Sequence, residues 1–274
     1  MISKHLTWGI SLLVAVSTSV LAEPNTVQVV EVTVQGGNDK IRYLGIVGST
    51  PPKAAVMLLA GGNGVLGIQP NGSMTGQLSL NFLVRSRVRF ANEGLYVAVV
   101  DAPLLIQATG MDGNYRLSLQ HKNDLRNVVQ DVADRAGAPV WLIGTSSGAM
   151  SVVNAAVPPS PNVGLSPYGV VFVSPQSKVS VPLGCGKTVF DGQLGAINKP
   201  ALFVVHGKDQ CGCSPPDEAK KMLPVLERSL HLGFELFVGG DPPVSTACEA
   251  RSEHGFFGIE GPVVKAIADW VKSH

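Results

Sequence analysis

Apolar positions fall along this chain in short, dense runs rather than long stripes. Residues 54–60, 95–100, 140–143, 170–173 and 201–205 are almost continuously apolar and bounded by turn residues, with 234–238 closing the series. Runs of that length suit strands of a parallel sheet buried on both faces. Residues 27–34 alternate instead, with Val27, Val29, Val32 and Val34 among polar neighbours, and 41–47 follow across Gly36-Gly37. This pattern predicts an antiparallel hairpin at one edge.

Between the runs the period changes to that of a helix. Residues 81–92 set Phe82, Val84, Val88 and Phe90 among arginines, and 122–136 place Leu125, Val128, Val129 and Val132 at helical spacing before Gly137 and Pro139. Residues 149–156 are small and helix-compatible, 217–230 follow Pro215-Pro216, and 261–272 carry Val264, Ile267, Ala268 and Val271 on one face. Strands alternating with helices predict a doubly wound α/β sandwich, with helices on both faces of a mostly parallel sheet of about eight strands. No repeat or linker divides residues 23–274, which are expected to form one domain.

Residues 1–22 stand apart. Lys4 and His5 precede an apolar stretch that ends in Val20-Leu21-Ala22, the pattern of a secretory leader cut after Ala22. The stretch is short for an uncleaved anchor, and no later segment approaches the roughly 18 apolar residues of a span. The mature chain is therefore expected to be exported, periplasmic or extracellular, without stable membrane insertion. At 274 residues it can bury a core without staples. Hydrophobic residues at 45% and charged residues at 15% exclude disorder, and a net charge of +1 leaves no basic footprint for nucleic acid. Cys185, Cys211, Cys213 and Cys248 are an even set, which in an oxidising compartment reads as two disulfides with three pairings open. The competing reading is a zinc site built on Cys211-Gly-Cys213, which lacks the spacing of a zinc knuckle and a nearby histidine.

In an open parallel sheet, ligands bind beyond the carboxyl ends of the strands. After 140–143 comes Gly144-Thr145-Ser146-Ser147-Gly148, a G-x-S-x-G turn between a buried strand and a helix. Such a turn projects Ser146 above the sheet and aims the Ser147 amide into the same space. The bare motif is weak in a chain with 31 glycines, so its strand–turn–helix setting and its downstream partners carry the reading. Ser147, one residue off the elbow, is the decoy. A serine nucleophile needs a base, and the base needs an orienting carboxylate. Asp209 follows the strand 201–205 in His206-Gly207-Lys208-Asp209, and His254 lies on the loop before the last helix. Chain order Ser–Asp–His is that of a nucleophile elbow. Asp241, on the histidine's own loop, is the rival acid. His231 belongs to the opposite end of the sheet and His274 to the terminus. His206 reads as a loop-ordering residue, and His121, near a helix start, as solvated or locally bonded.

The loop after 54–60, Gly61-Gly62-Asn63-Gly64, offers the second oxyanion amide, that of Gly62 or Asn63. Gly62 to Gly67 also spell G-x-G-x-x-G. A dinucleotide site would need a helix to open there and an acid about 20 residues on, yet no Asp or Glu occurs between Asp39 and Glu93. No metal or organic cofactor is expected.

These residues resemble an α/β-hydrolase from about Ala54 to the end, on Ala60 to Gly64, Gly144 to Gly148, Asp209 after His206-Gly207, and His254-Gly255-Phe256. Residues 139–148, 204–215 and 248–260 are similar more narrowly to exported bacterial serine esterase-like hydrolases of largely uncharacterised function. The resemblance implies a Ser146–His254–Asp209 triad, an acyl-enzyme and hydrolysis of a carboxylic ester, with a small-molecule or extended ester as substrate. It also implies a Cys211–Cys248 bridge joining the acid and base loops, and then Cys185–Cys213. Ala60 departs from the His or Pro of many relatives. About 27 residues between Val173 and Ala201 are too few for a large lid, and the loops 65–79 and 103–119 are expected to shape specificity. A peptidase or amidase with the same triad, and a non-catalytic exported binding protein, are the competing readings.

Overall fold

A computed structural model describes residues 25–48, 51–158 and 165–274; the expected leader lies outside the described residues. Eight strands among them share one sheet: β1 (Thr26–Val34), β2 (Asp39–Val47), β3 (Ala55–Leu59), β4 (Tyr96–Val100), β5 (Val140–Thr145), β6 (Gly169–Val173), β7 (Ala201–His206) and β8 (Leu232–Phe237). Their order is β1-β2-β4-β3-β5-β6-β7-β8. Pairing is antiparallel from β1 to β2 and from β2 to β4, and parallel from β4 onward.

Helices cover both faces, as the alternating pattern predicts. Among the described residues they are α1 (Phe82–Arg85), α2 (Arg87–Asn92), α3 (Gly113–Arg116), α4 (Leu119–Ala136), α5 (Gly148–Ala156), α6 (Pro216–Lys220) and α7 (Glu260–Ser273). α4 and α5 pack Leu125, Val128, Val129, Val152 and Val153 against one face of the sheet. On the other face lie Phe82, Phe90, Val264 and Ile267 of α1, α2 and α7. β3 to β7 are buried along their whole length, which explains why they read as unbroken apolar runs.

Four details differ from expectation. In β1 the buried valines are Val30 and Val34, while Val29 faces the opposite layer and Val27 is exposed, because two adjacent valines shift the alternation by one position. The helix expected over 81–92 is two pieces meeting at Ser86. The one expected over 217–230 stops after α6 and resumes only as a single turn, Leu223–Val225. Pro224 lacks the N–H a continuing helix requires. Finally, β8 is not buried on both faces: Leu232 and Leu236 are exposed, as is Val238 just past it, since no strand among the described residues lies beyond it.

Candidate active site

The loops leaving β3, β5, β6 and β7 converge at the carboxyl end of the sheet. Ser146 stands between β5 and α5 with φ 54°, a left-handed conformation that costs a non-glycine residue about 1–3 kcal/mol. Its backbone is pinned on both sides: the Ser146 N–H donates to Val173 O (3.0 Å), and Gln176 N–H donates to Ser146 O (3.0 Å). Gly148 is required because a Cβ there would collide with the carbonyls of Leu59 and Ala60. The elbow therefore sits directly against the loop that follows β3.

His254 lies in a single helical turn, Glu253–Gly255, before α7. Its Nδ1–H donates to Asp209 Oδ2 at 2.8 Å, with both side chains buried. The other carboxylate oxygen, Oδ1, accepts the Cys211 N–H at 2.8 Å. Asp209 is thus held at two points, and Nε2 of His254 is left for the cleft. Arg85 clamps this loop from α1, donating to Gly255 O (2.6 Å), Leu80 O (2.7 Å) and the Glu260 carboxylate (2.8 Å). Asp241, the rival acid, is exposed.

Two clefts meet at Ser146. One, of about 470 Å³, runs past His254, Leu78, Leu80, Phe82 and Val244. The other, of about 430 Å³, runs past Asn63, Met111, Met150, Gln176, Lys187 and the cysteines. Ser146 and His254 line the first cleft together, and no hydrogen bond joins their side chains. The Ser147 hydroxyl is spent on Gly62 O (2.9 Å). The N–H groups of Gly62, Asn63 and Ser147 find no acceptor among the described residues. The segment from Gly62 to Gly67 opens no helix, so the dinucleotide pattern is coincidental.

Of the other histidines, His206 orders its loop: Nε2–H donates to Gly239 O (2.9 Å) and Nδ1 accepts the Lys208 N–H (3.1 Å). His231 and His274 contact each other at the far end. His121 corrects the expectation of a solvated or locally bonded side chain. α4 begins earlier than the pattern suggests, capped by Ser118, and this turns His121 inward beside Ser151 (2.9 Å) and Arg116. Burial, reinforced by the Arg116 charge, holds its pKa down at about 3. It stays neutral in the fold, while in the unfolded chain it takes up a proton below about pH 6.5. Acidification from about 6.5 toward 3 therefore favours unfolding. His121→Gln should flatten the fall in urea midpoint between pH 7 and pH 5; an unchanged slope would contradict this.

Cys185 pairs with Cys213 and Cys211 with Cys248. The sulfurs of Cys211, Cys213 and Cys248 lie within 4.8 Å of one another because the two bridges are adjacent, and no free cysteine occurs among the described residues to supply a thiolate for zinc. The Cys211–Cys248 bridge closes a sequence separation of 37 residues. Cys211→Ser with Cys248→Ser should lower the unfolding free energy by about 3–4 kcal/mol on loop-closure grounds. Equilibrium denaturation measures the loss, and one below about 1 kcal/mol would mean the reduced loops stay ordered unaided.

No protein-family model matches the chain, and no curated protein matches it either. Solved structures do. A monoglyceride lipase from Saccharomyces cerevisiae superimposes with a TM-score of 0.62 at 12% identity, covering 93% of this chain and 97% of its own. The chain has the α/β-hydrolase fold. An esterase from Pyrococcus furiosus shares that fold with a TM-score of 0.58 at 14% identity, covering 90% of this chain and 91% of its own. A Xanthomonas campestris protein described as a serine hydrolase without lid does so at 0.55 and 15% identity, covering 93% and 99%. This α/β-hydrolase fold likewise carries no large lid: between β6 and β7 the described residues form only short turns, Val181–Leu183, Val189–Asp191 and Leu194–Ala196. The loop 65–79 is partly structural. Leu66 and Ile68 are buried, and their N–H groups donate to the Asp101 carboxylate at 2.7 Å. Gln77 and Leu78 alone in that loop reach the first cleft, whereas Thr109, Met111, Asp112 and Gly113 of 103–119 reach the second.

Sequence reading missed Arg85 and Arg116. Both act on main-chain carbonyls far away along the chain, and nothing local in the sequence marks such a partner.

Proposed function

We propose that the protein is an exported serine hydrolase that cleaves carboxylic esters with Ser146 as nucleophile, His254 as base and Asp209 as orienting acid. The observation that carries this reading is that His254, paired with the buried Asp209, lines the same cleft as a serine held at positive φ. Asp209 fixes the proton on Nδ1, so Nε2 can accept the proton of Ser146. Catalytic contacts of this kind commonly tighten only when substrate is bound. Attack on the carbonyl gives a tetrahedral oxyanion, received by the Ser147 amide at the start of α5 and by that of Gly62 or Asn63. His254 then protonates the leaving alcohol, and water repeats the sequence to free the acid.

The two clefts support an ester whose halves extend in opposite directions from Ser146, the apolar half against Leu78, Leu80 and Phe82. The lipase and esterase among the structural neighbours act on esters, which agrees with this choice. Export is supported by the leader pattern together with two disulfides. A fluorophosphonate probe should label wild-type protein at Ser146, located by peptide mass mapping. Unlabelled, folded protein would make the chain a binding protein. Faster cleavage of a p-nitrophenyl ester than of the matching anilide is expected; the reverse order would favour the peptidase or amidase.

A further inference from the structure

Outside the triad lies a buried cation. Arg116, at the end of α3, is 1% exposed and forms no ion pair with any described residue. Asp101 shares a small cavity with it but is saturated by the N–H groups of Leu66, Ile68 and Ala102 and by Gln107. A buried guanidinium without a carboxylate is costly and needs compensation. That compensation comes from the loop after β3. Nη2 donates to Ala60 O and to Gly62 O, both at 3.1 Å, and Nη1 donates to Ser151 Oγ at 2.9 Å. Ser151 can then pass its own proton to Nε2 of the neutral His121. Gly64 leaves the room: a Cβ there would stand 2.9 Å from Nη2.

We propose that Arg116 is a positioning residue for the oxyanion loop, gripping the Ala60 and Gly62 carbonyls and holding a positive charge, paired with no carboxylate among the described residues, beside the amides that receive the oxyanion. This rests on the reading of Ser146 as nucleophile. Each gripped carbonyl belongs to a peptide unit whose N–H lies at its other end, Gly61 N–H for Ala60 O and Asn63 N–H for Gly62 O. A cation bonded to the oxygen polarises that N–H and strengthens it as a donor. Gly62 O accepts from Ser147 Oγ as well, so the residue expected to supply one oxyanion amide also fixes the loop supplying the other. Negative charge develops there only in the transition state, so the effect belongs to turnover more than to binding. Burial lowers the guanidinium pKa to about 10, which still leaves it charged at neutral pH.

The test compares full-length wild type with Arg116→Gln and Arg116→Lys, using a p-nitrophenyl ester for kinetics and phenylboronic acid as a probe that becomes tetrahedral and anionic on Ser146. Arg116→Gln should lose about 10–10²-fold in kcat with KM within about threefold, a fraction of what removing a direct donor costs. Boronate affinity should fall by a similar factor, and Arg116→Lys should recover part of both. A folded Gln variant with kcat within twofold of wild type, or one losing kcat with unchanged boronate affinity, would overturn the proposal. If the Gln variant fails to fold, the Lys variant decides by the same pairing: its kcat and boronate affinity must drop together. Absence of fluorophosphonate labelling in wild type would instead sink the nucleophile assignment, so the two failures are told apart.

Discussion

Ser146→Ala should lower kcat by about 10⁴–10⁶-fold while leaving the unfolding midpoint unchanged or slightly altered. The loss is large because the adjacent Ser147 hydroxyl cannot take over. Ser147 donates its proton to Gly62 O and sits one position beyond the strained turn, so its oxygen serves the loop and not the cleft. Residual rate above that of buffer would come from the amides and the binding clefts, which the substitution leaves in place. Alanine at φ 54° carries the same backbone penalty as serine, so a stability change is not expected to confuse the result. Steady-state hydrolysis of a p-nitrophenyl ester reads the effect. Activity within tenfold of wild type would remove Ser146 from the mechanism.

Asp209→Asn should cost about 10⁴-fold in kcat. The reason lies in the two bonds Asp209 accepts, one from Cys211 N–H and one from His254 Nδ1–H. An amide has a single acceptor oxygen. With that oxygen kept for the Cys211 N–H, the NH₂ group faces Nδ1 and forces the imidazole proton onto Nε2, the atom that must receive the proton of Ser146. The variant should fold and should react with fluorophosphonate far more slowly than wild type. Retention of activity within tenfold would reassign the acid, with Asp241 the first residue to examine.

The candidate site positions are legible in the sequence because Ser146 and Asp209 lie just past apolar runs, and the doubly wound topology sends all such loops to one edge. Ser146 is marked by its glycines, Asp209 by β7 and His254 by its place before the last helix. The misread details have a common cause, which is that they depend on what lies across space. The residues of β8 resemble those of β7, and only the number of strands in the sheet tells which of the two borders solvent. α4 starts three residues earlier than its apolar pattern implies, enough to rotate His121 from surface to interior. Pro224 is visible in the sequence, and its missing N–H is a sufficient reason for α6 to end. The role of Arg116 is not legible in the sequence, since its carbonyl partners are main-chain oxygens more than fifty positions upstream.

The bridge from Cys211 to Cys248 alters how the reactive assembly can come apart. Asp209 and His254 are carried on covalently linked segments, so gentle heating should separate two bodies, the elbow and the linked pair, instead of scattering three. Restoring order then takes one docking event. Heat-treated enzyme should regain turnover on cooling while that link survives, and lose this resilience once a thiol reagent has cut it.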